Sequence, residues 1–167
     1  MEPNIFITVT DALNTIPVNP TFNAQLLGNT SGKTINLESD ADNQATAIGI
    51  QDGATVQFTG NSDDFTFVRN GTTVEVQDAD GNVVAAVAGG TTGSTLKFAD
   101  GSTTITLDGA AQSVSVGDQE LADNGDSVDG GTTDVIADAD DVSGIGPDQP
   151  PAPTGPTFSV SEGSNVV

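Results

Sequence analysis

Apolar and polar residues alternate along this chain in short runs, and a run of period two can bury its apolar side only by joining a sheet. Thr55-Val56-Gln57-Phe58, Asp64-Phe65-Thr66-Phe67-Val68 and Thr73-Val74-Glu75-Val76-Gln77 show this most clearly. Arg69-Asn70-Gly71 lies between the last two, and Asn-Gly accepts the positive φ of a tight turn, so Phe65 to Gln77 reads as an antiparallel hairpin. Further runs are Val83 to Ala88, Thr95 to Phe98, Thr103 to Leu107 and Ser113 to Gly117, separated by turn signals such as Gly89-Gly90, Asp100-Gly101 and Asp108-Gly109.

Ile5-Phe6-Ile7-Thr8-Val9 reads as a strand ending in irregular chain at Asp11, Asn14, Pro17 and Pro20. Phe22 to Leu27 is a second short strand or one helical turn, closed by Gly28-Asn29, and Thr34 to Leu37 puts Ile35 and Leu37 on one face. No stretch of twelve residues carries a helical stripe. In Leu121 to Val142, the nearest candidate, Gly125, Gly130 and Gly131 would each cost a helix about 1 kcal/mol. The expected fold is all-β, an antiparallel β-sandwich or rolled β-sheet with Gly/Asp-rich turns.

The expected organisation is a β domain over 1–143, with its core in 33–117 and an acidic loop region over 118–143. Residues 144–156 carry Pro147, Pro150, Pro151, Pro153 and Pro156 and read as a stiff linker. Beyond it, 157–167 opens with the alternating Thr157-Phe158-Ser159-Val160-Ser161. A lone strand past a spacer must pair with its home sheet or with the open edge of a neighbouring subunit. Self-association through the terminal strands is therefore the expected partnership.

Twenty-four acidic residues face only Lys33, Arg69 and Lys97, a formal net charge of −21. Such a surface repels phosphate backbones and anionic headgroups, so neither nucleic acid nor a membrane surface is expected as a partner, and no run is long enough to insert in a bilayer. Without His or Cys there is no imidazole base, thiol nucleophile or thiolate zinc site. Glycoside hydrolysis by paired acids normally relies on aromatic platforms, and the chain has no Trp or Tyr. Ala88-Gly89-Gly90-Thr91-Thr92-Gly93 lacks the following Lys and helix of a phosphate loop and reads as a hairpin loop. No enzymatic activity is expected.

Calcium is the cofactor these residues favour, since it takes oxygen ligands from carboxylates, carbonyls and Asn amides gathered on a turn. Asp78, Asp80 and Asn82, around Gly81, form one candidate loop. Asp40 and Asp42 form a second, and Asp134, Asp138, Asp140 and Asp141 a third, in the densest acidic stretch. An ordinary turn accounts for the first set equally in kind. A mobile acidic loop does so for the third.

Asn61 to Gly71, then Val74 to Asp78, then Leu96-Lys97-Phe98-Ala99-Asp100-Gly101-Ser102 resemble a module of the haemolysin-type calcium-binding, or repeats-in-toxin, bacterial proteins, over roughly residues 52–109. There an aromatic-Thr-aromatic strand, a turn, a Val-rich strand and a hydrophobic-x-Phe-Ala-Asp-Gly segment recur beside calcium-binding rolls. The resemblance implies export, an extracellular or cell-surface location, and a role in surface layers, adhesion or biofilm matrix. The group's Gly-Gly-x-Gly-x-Asp nonapeptides are absent, so the stacked calcium roll does not follow from it. The expected function is a secreted bacterial structural protein forming a surface assembly or fibre. The alternative is a monomeric adhesin or secretion-associated module that binds a surface ligand through its loops.

Overall fold

The computed structural model describes residues 5–20, 23–39 and 44–132, and the backbone of 137–138. The described residues form an all-β fold of two mixed sheets in a sandwich-like arrangement, seven-stranded and eight-stranded.

The first part winds between the sheets. Strands β1 (Ile5–Thr8), β3 (Asn23–Leu27) and β5 (Thr46–Ile50) lie side by side in one sheet, and β2 (Thr15–Val18), β4 (Thr34–Leu37) and β6 (Thr55–Phe58) in the other. Neighbours within each sheet are parallel. Each crossover that a parallel pair requires is supplied by the intervening strand of the opposite sheet. Because each strand faces the core on one side only, its residues alternate. Thr15–Val18, Thr34–Leu37 and Thr55–Phe58 each bury their second and fourth residues. Register then stacks like on like, as Ile16 beside Ile35 beside Val56, and Val18 beside Leu37 beside Phe58. All six are buried, each stabilising by about 1.5–3 kcal/mol. The facing sheet stacks Ile5, Ala24 and Ala47.

After a 3-10 turn (Ser62–Asp64), pairing changes. Strands β7 (Thr66–Asn70), β8 (Thr73–Gln77) and β9 (Val83–Ala88) form an antiparallel meander in the first sheet. Strands β10 (Ser94–Lys97), β11 (Gly101–Asp108), β12 (Ser113–Val116) and β13 (Gln119–Leu121) do the same in the second. The two regimes meet at β9, parallel to β5 and antiparallel to β8, and at β10, parallel to β6 and antiparallel to β11. Strand β14 (Ser127–Asp129) returns to pair with β7, and β15 (Ala137–Asp138) pairs with β11.

Phe58, from the parallel part, stacks on Phe98 at 4.9 Å between ring centroids with the ring planes 10° from parallel, and lies 5.0 Å from Phe65. Phe65 and Phe67 lie 5.7 and 6.0 Å from Phe98. This aromatic cluster joins the parts, within one core cluster of buried residues running from Val9 to Leu121.

Four expectations need correction. The sheets are mixed, because the first three strands of each sheet run parallel to one another; a parallel sheet with one solvated face alternates just as an antiparallel one does, so the pattern could not separate them. The chain from Asp11 to Pro20 contains β2, and Pro17 is tolerated because β2 is an edge strand, where a missing N–H can face the open side. In the hairpin Asn70 pairs with Thr73, so the turn residues are Gly71 and Thr72. Gly71 supplies the positive φ, +65°, at the first central position, which a two-residue turn of the II′ kind gives to Gly. Finally, residues 118–132 are more than an acidic loop, since β13 and β14 extend both sheets. Strand β5, which the alternation did not signal, completes the first sheet.

Candidate functional site

Asp and Gly recur at the turns, and the structure shows what they do there. Asp78 is 5% exposed, and its carboxylate accepts the backbone N–H of Asp80 (2.9 Å) and Asn82 (2.8 Å) and the Asn82 side-chain amide (3.0 Å). Gly81, at φ +81°, donates its N–H to the Asp78 carbonyl. A carboxylate organising its own turn in this way is an Asx turn. Asp80 and Asn82 are exposed.

The same device recurs. Asp108 accepts from Ala110 and Ala111, and these N–H groups, Ala111 foremost, hold its carboxyl below the usual aspartate range. Asp100 accepts the N–H and hydroxyl of Ser62, both at 2.8 Å, tying the β10–β11 turn to the 3-10 turn. Asp52 receives Thr92 and Gly93 N–H at 3.0 and 2.9 Å, and a Cβ on Gly90 would collide with its carboxylate. The Gly-rich loop therefore wraps an internal anion, the side chain of Asp52.

Of the proposed calcium ligands, Asp78 and Asn82 are brought together, and Asp80 joins them only through its backbone. Among the described residues no group of three or more acidic side chains is placed to hold a metal. Asp40, Asp42, Asp134, Asp140 and Asp141 lie outside the described residues, as do the linker 144–156 and the strand 157–167. Asp138 is described only as backbone, opposite Gly101.

Two features escaped the sequence reading. Arg69 donates from its guanidinium to the carbonyls of Gly71 (2.9 Å), Leu121 (2.9 Å), Ala122 and Gln112 (2.6 Å). Its N–H donates to the Asp126 carbonyl, and its own carbonyl accepts from Gly125. The chain's one arginine thus clasps the acidic segment onto the hairpin through carbonyl oxygens. Its scarcity was the available signal.

The second feature is the open end of the parallel part. Among the described residues, strand β1 pairs only with β3, and β2 only with β4. Phe6, on the outward face of β1, is 65% exposed, and Leu13, in the β1–β2 connection, 39%. Leu27, opposite Thr8, is 42% exposed and lines a shallow depression on the outer face of the first sheet, with Gly49, Ala86 and Ala88.

No protein-family model, curated protein or solved structure matches the chain.

Proposed function

We propose that the chain is a secreted bacterial structural protein that forms a surface assembly by strand addition, with β1 as the acceptor edge. The observation carrying this reading is that, among the described residues, β1 ends its sheet with one open side and an exposed Phe6. An open edge is a row of unpaired N–H and C=O groups ready to take a further strand. Its neighbour β2 is the poorer acceptor, because Pro17 removes a donor. The donor in this proposal is Thr157-Phe158-Ser159-Val160-Ser161 of a neighbouring copy, spaced from its own domain by the proline-rich 144–156. Such head-to-tail addition is heterologous and propagates as a fibre. The two sheets are, in this proposal, the layers of a closed sandwich, and calcium on the acidic segments offsets the repulsion between copies of net charge −21.

Electron microscopy of the full chain with and without calcium tests the reading: filaments are expected, denser with calcium. Deleting residues 157–167 is expected to leave monomers with an unchanged circular dichroism spectrum; undiminished assembly of that deletion would overturn strand donation. The depression beside Leu27 favours a second reading, a monomeric adhesin module that takes a ligand on the outer face of the first sheet. That reading predicts no filaments under either condition.

A further inference from the structure

The chain contains two Asn-Gly dipeptides, Asn70-Gly71 and Asn124-Gly125, and the fold sets them against each other. The first ends β7 and opens the β7–β8 turn. The second sits at the centre of the turn between β13 and β14, which Asp126 closes by donating its N–H to the Asp123 carbonyl at 3.1 Å. Gly71 donates its N–H to the Asn124 side-chain oxygen at 2.6 Å. In return Gly125 donates its N–H at 2.9 Å to the carbonyl of Arg69, the residue before Asn70. The Asn70 side-chain amide donates to a Glu75 carboxylate oxygen at 2.7 Å. Both dipeptides are exposed.

An Asn-Gly pair is open to a spontaneous reaction that needs only water. The backbone nitrogen of the glycine, unhindered by a Cβ, attacks the carbonyl carbon of the asparagine side chain. The new C–N bond closes a succinimide, the bond to the side-chain nitrogen breaks, and that nitrogen leaves as ammonia with the proton given up by the glycine N–H. Water then opens the ring at one of its two carbonyls, leaving aspartate or isoaspartate. Exposure supplies the water at both sites. The rate is therefore governed by whether the glycine nitrogen is free to lose its proton and approach the side chain. At neither site is it free, because each glycine N–H is held by an acceptor on the opposing segment. Asn70 is held further by its place in β7 and by its bond to Glu75.

We infer that Asn70 and Asn124 are deamidation sites kept latent by their mutual docking, so that release of residues 121–126 from the hairpin makes both reactive. The two products differ in consequence. A carboxylate at position 70 replaces the amide that now donates to Glu75, so two like charges meet and the hairpin is weakened. A carboxylate at position 124 still offers the Gly71 N–H an acceptor. Opening of this contact is thus recorded covalently, and at Asn70 it opposes reclosure. The inference stands apart from strand addition, since β7 and β14 lie at the opposite end of the first sheet from β1.

The test is peptide mapping by mass spectrometry of the full chain after incubation at mildly alkaline pH, reading aspartate and isoaspartate at positions 70 and 124. In the folded chain both positions are expected to convert at least about tenfold more slowly than in urea, because reaction waits on local opening. Asn124→Ala removes the acceptor of the Gly71 N–H and is expected to speed conversion of Asn70 severalfold. Asn124→Asp keeps an acceptor oxygen and is expected to leave Asn70 slow. Arg69→Ala, which loosens the segment, is expected to speed both positions. Circular dichroism and melting curves confirm that each variant is folded, and Asn124→Gly replaces Asn124→Ala if the latter is not. Conversion in the folded wild type as fast as in urea, an Asn70 rate unchanged by Asn124→Ala, or no acceleration of either position in Arg69→Ala would each overturn the inference.

Discussion

Residues 5–58 and residues 66–129 bury their apolar faces in one core but pair their strands in opposite ways. In the first part each strand pairs with the one two places along the chain, across a strand of the other sheet. In the second part most neighbours in sequence are neighbours in the sheet. The parallel part therefore relies on longer-range contacts, and the entropy of closing each winding must be met before any rung forms. The antiparallel part can begin from one hairpin. Among the described residues the first part has open edges and in-register rows; the second has a clasp, Arg69, and carboxylates that bind their own turns.

The aromatic cluster is where this comparison is easiest to break. Phe98→Ala removes the ring that meets Phe58 of the parallel part and Phe65 and Phe67 of the antiparallel part. The expected loss is about 3–5 kcal/mol in urea unfolding. Because the cluster joins the two regimes, the whole transition should move as one; two separated transitions would show that the parts fold independently.

Arg69→Ala should act on the second part alone. Removing charged hydrogen bonds to the carbonyls of Leu121, Ala122 and Gln112 is expected to cost about 1.5–3 kcal/mol. Limited proteolysis should then cut within 118–132 while the parallel strands stay protected. The matching change in the first part is Gly53→Ala. Gly53 adopts φ +82° in the β5–β6 turn, accepts the Gly32 N–H of the β3–β4 turn and donates its own N–H to the Ser94 hydroxyl at the start of β10. A side chain in that left-handed conformation is expected to cost about 1–2 kcal/mol, read as a lower melting temperature.

The smallest effect concerns pH. The N–H groups of Ala111 and Ala110 depress the Asp108 carboxyl in the folded state, so its contribution is present above the ordinary aspartate pKa and is lost as pH falls through the lower folded value. Wild type should therefore exceed Asp108→Ala slightly in stability at neutral pH, and the gap should close in strong acid.

The antiparallel hairpin was legible in the sequence because its alternation and its Gly fall within a dozen residues. The parallel part was harder for a physical reason: a half-buried strand alternates identically whichever way its neighbour runs. A signal was nevertheless present. Thr15-Ile16-Pro17-Val18, Thr34-Ile35-Asn36-Leu37, Thr55-Val56-Gln57-Phe58 and Thr95-Leu96-Lys97-Phe98 are one tetrapeptide pattern, and the first three recur about twenty residues apart, as windings of a stacked fold do. Pro17 hid the first copy, and the β7–β8 hairpin separates the last from its fellows. The acidic turns misled in another way. Composition counts carboxylates but not the backbone N–H groups that Asp52, Asp78 and Asp108 already face.

Parallel, in-register stacking of the first part is what sets it apart from the second, and the cysteine-free chain permits a direct test by paired cysteines. Neighbouring strands bring partner Cα atoms to about 5 Å, within the usual disulfide range. Under mild oxidation the double variants Thr34→Cys/Thr55→Cys and Thr55→Cys/Thr95→Cys should each form an intramolecular disulfide, and Thr15→Cys/Thr55→Cys, with β4 between, should not. Failure of both in-register pairs, or ready cross-linking of the third, would contradict the winding described for residues 5–58.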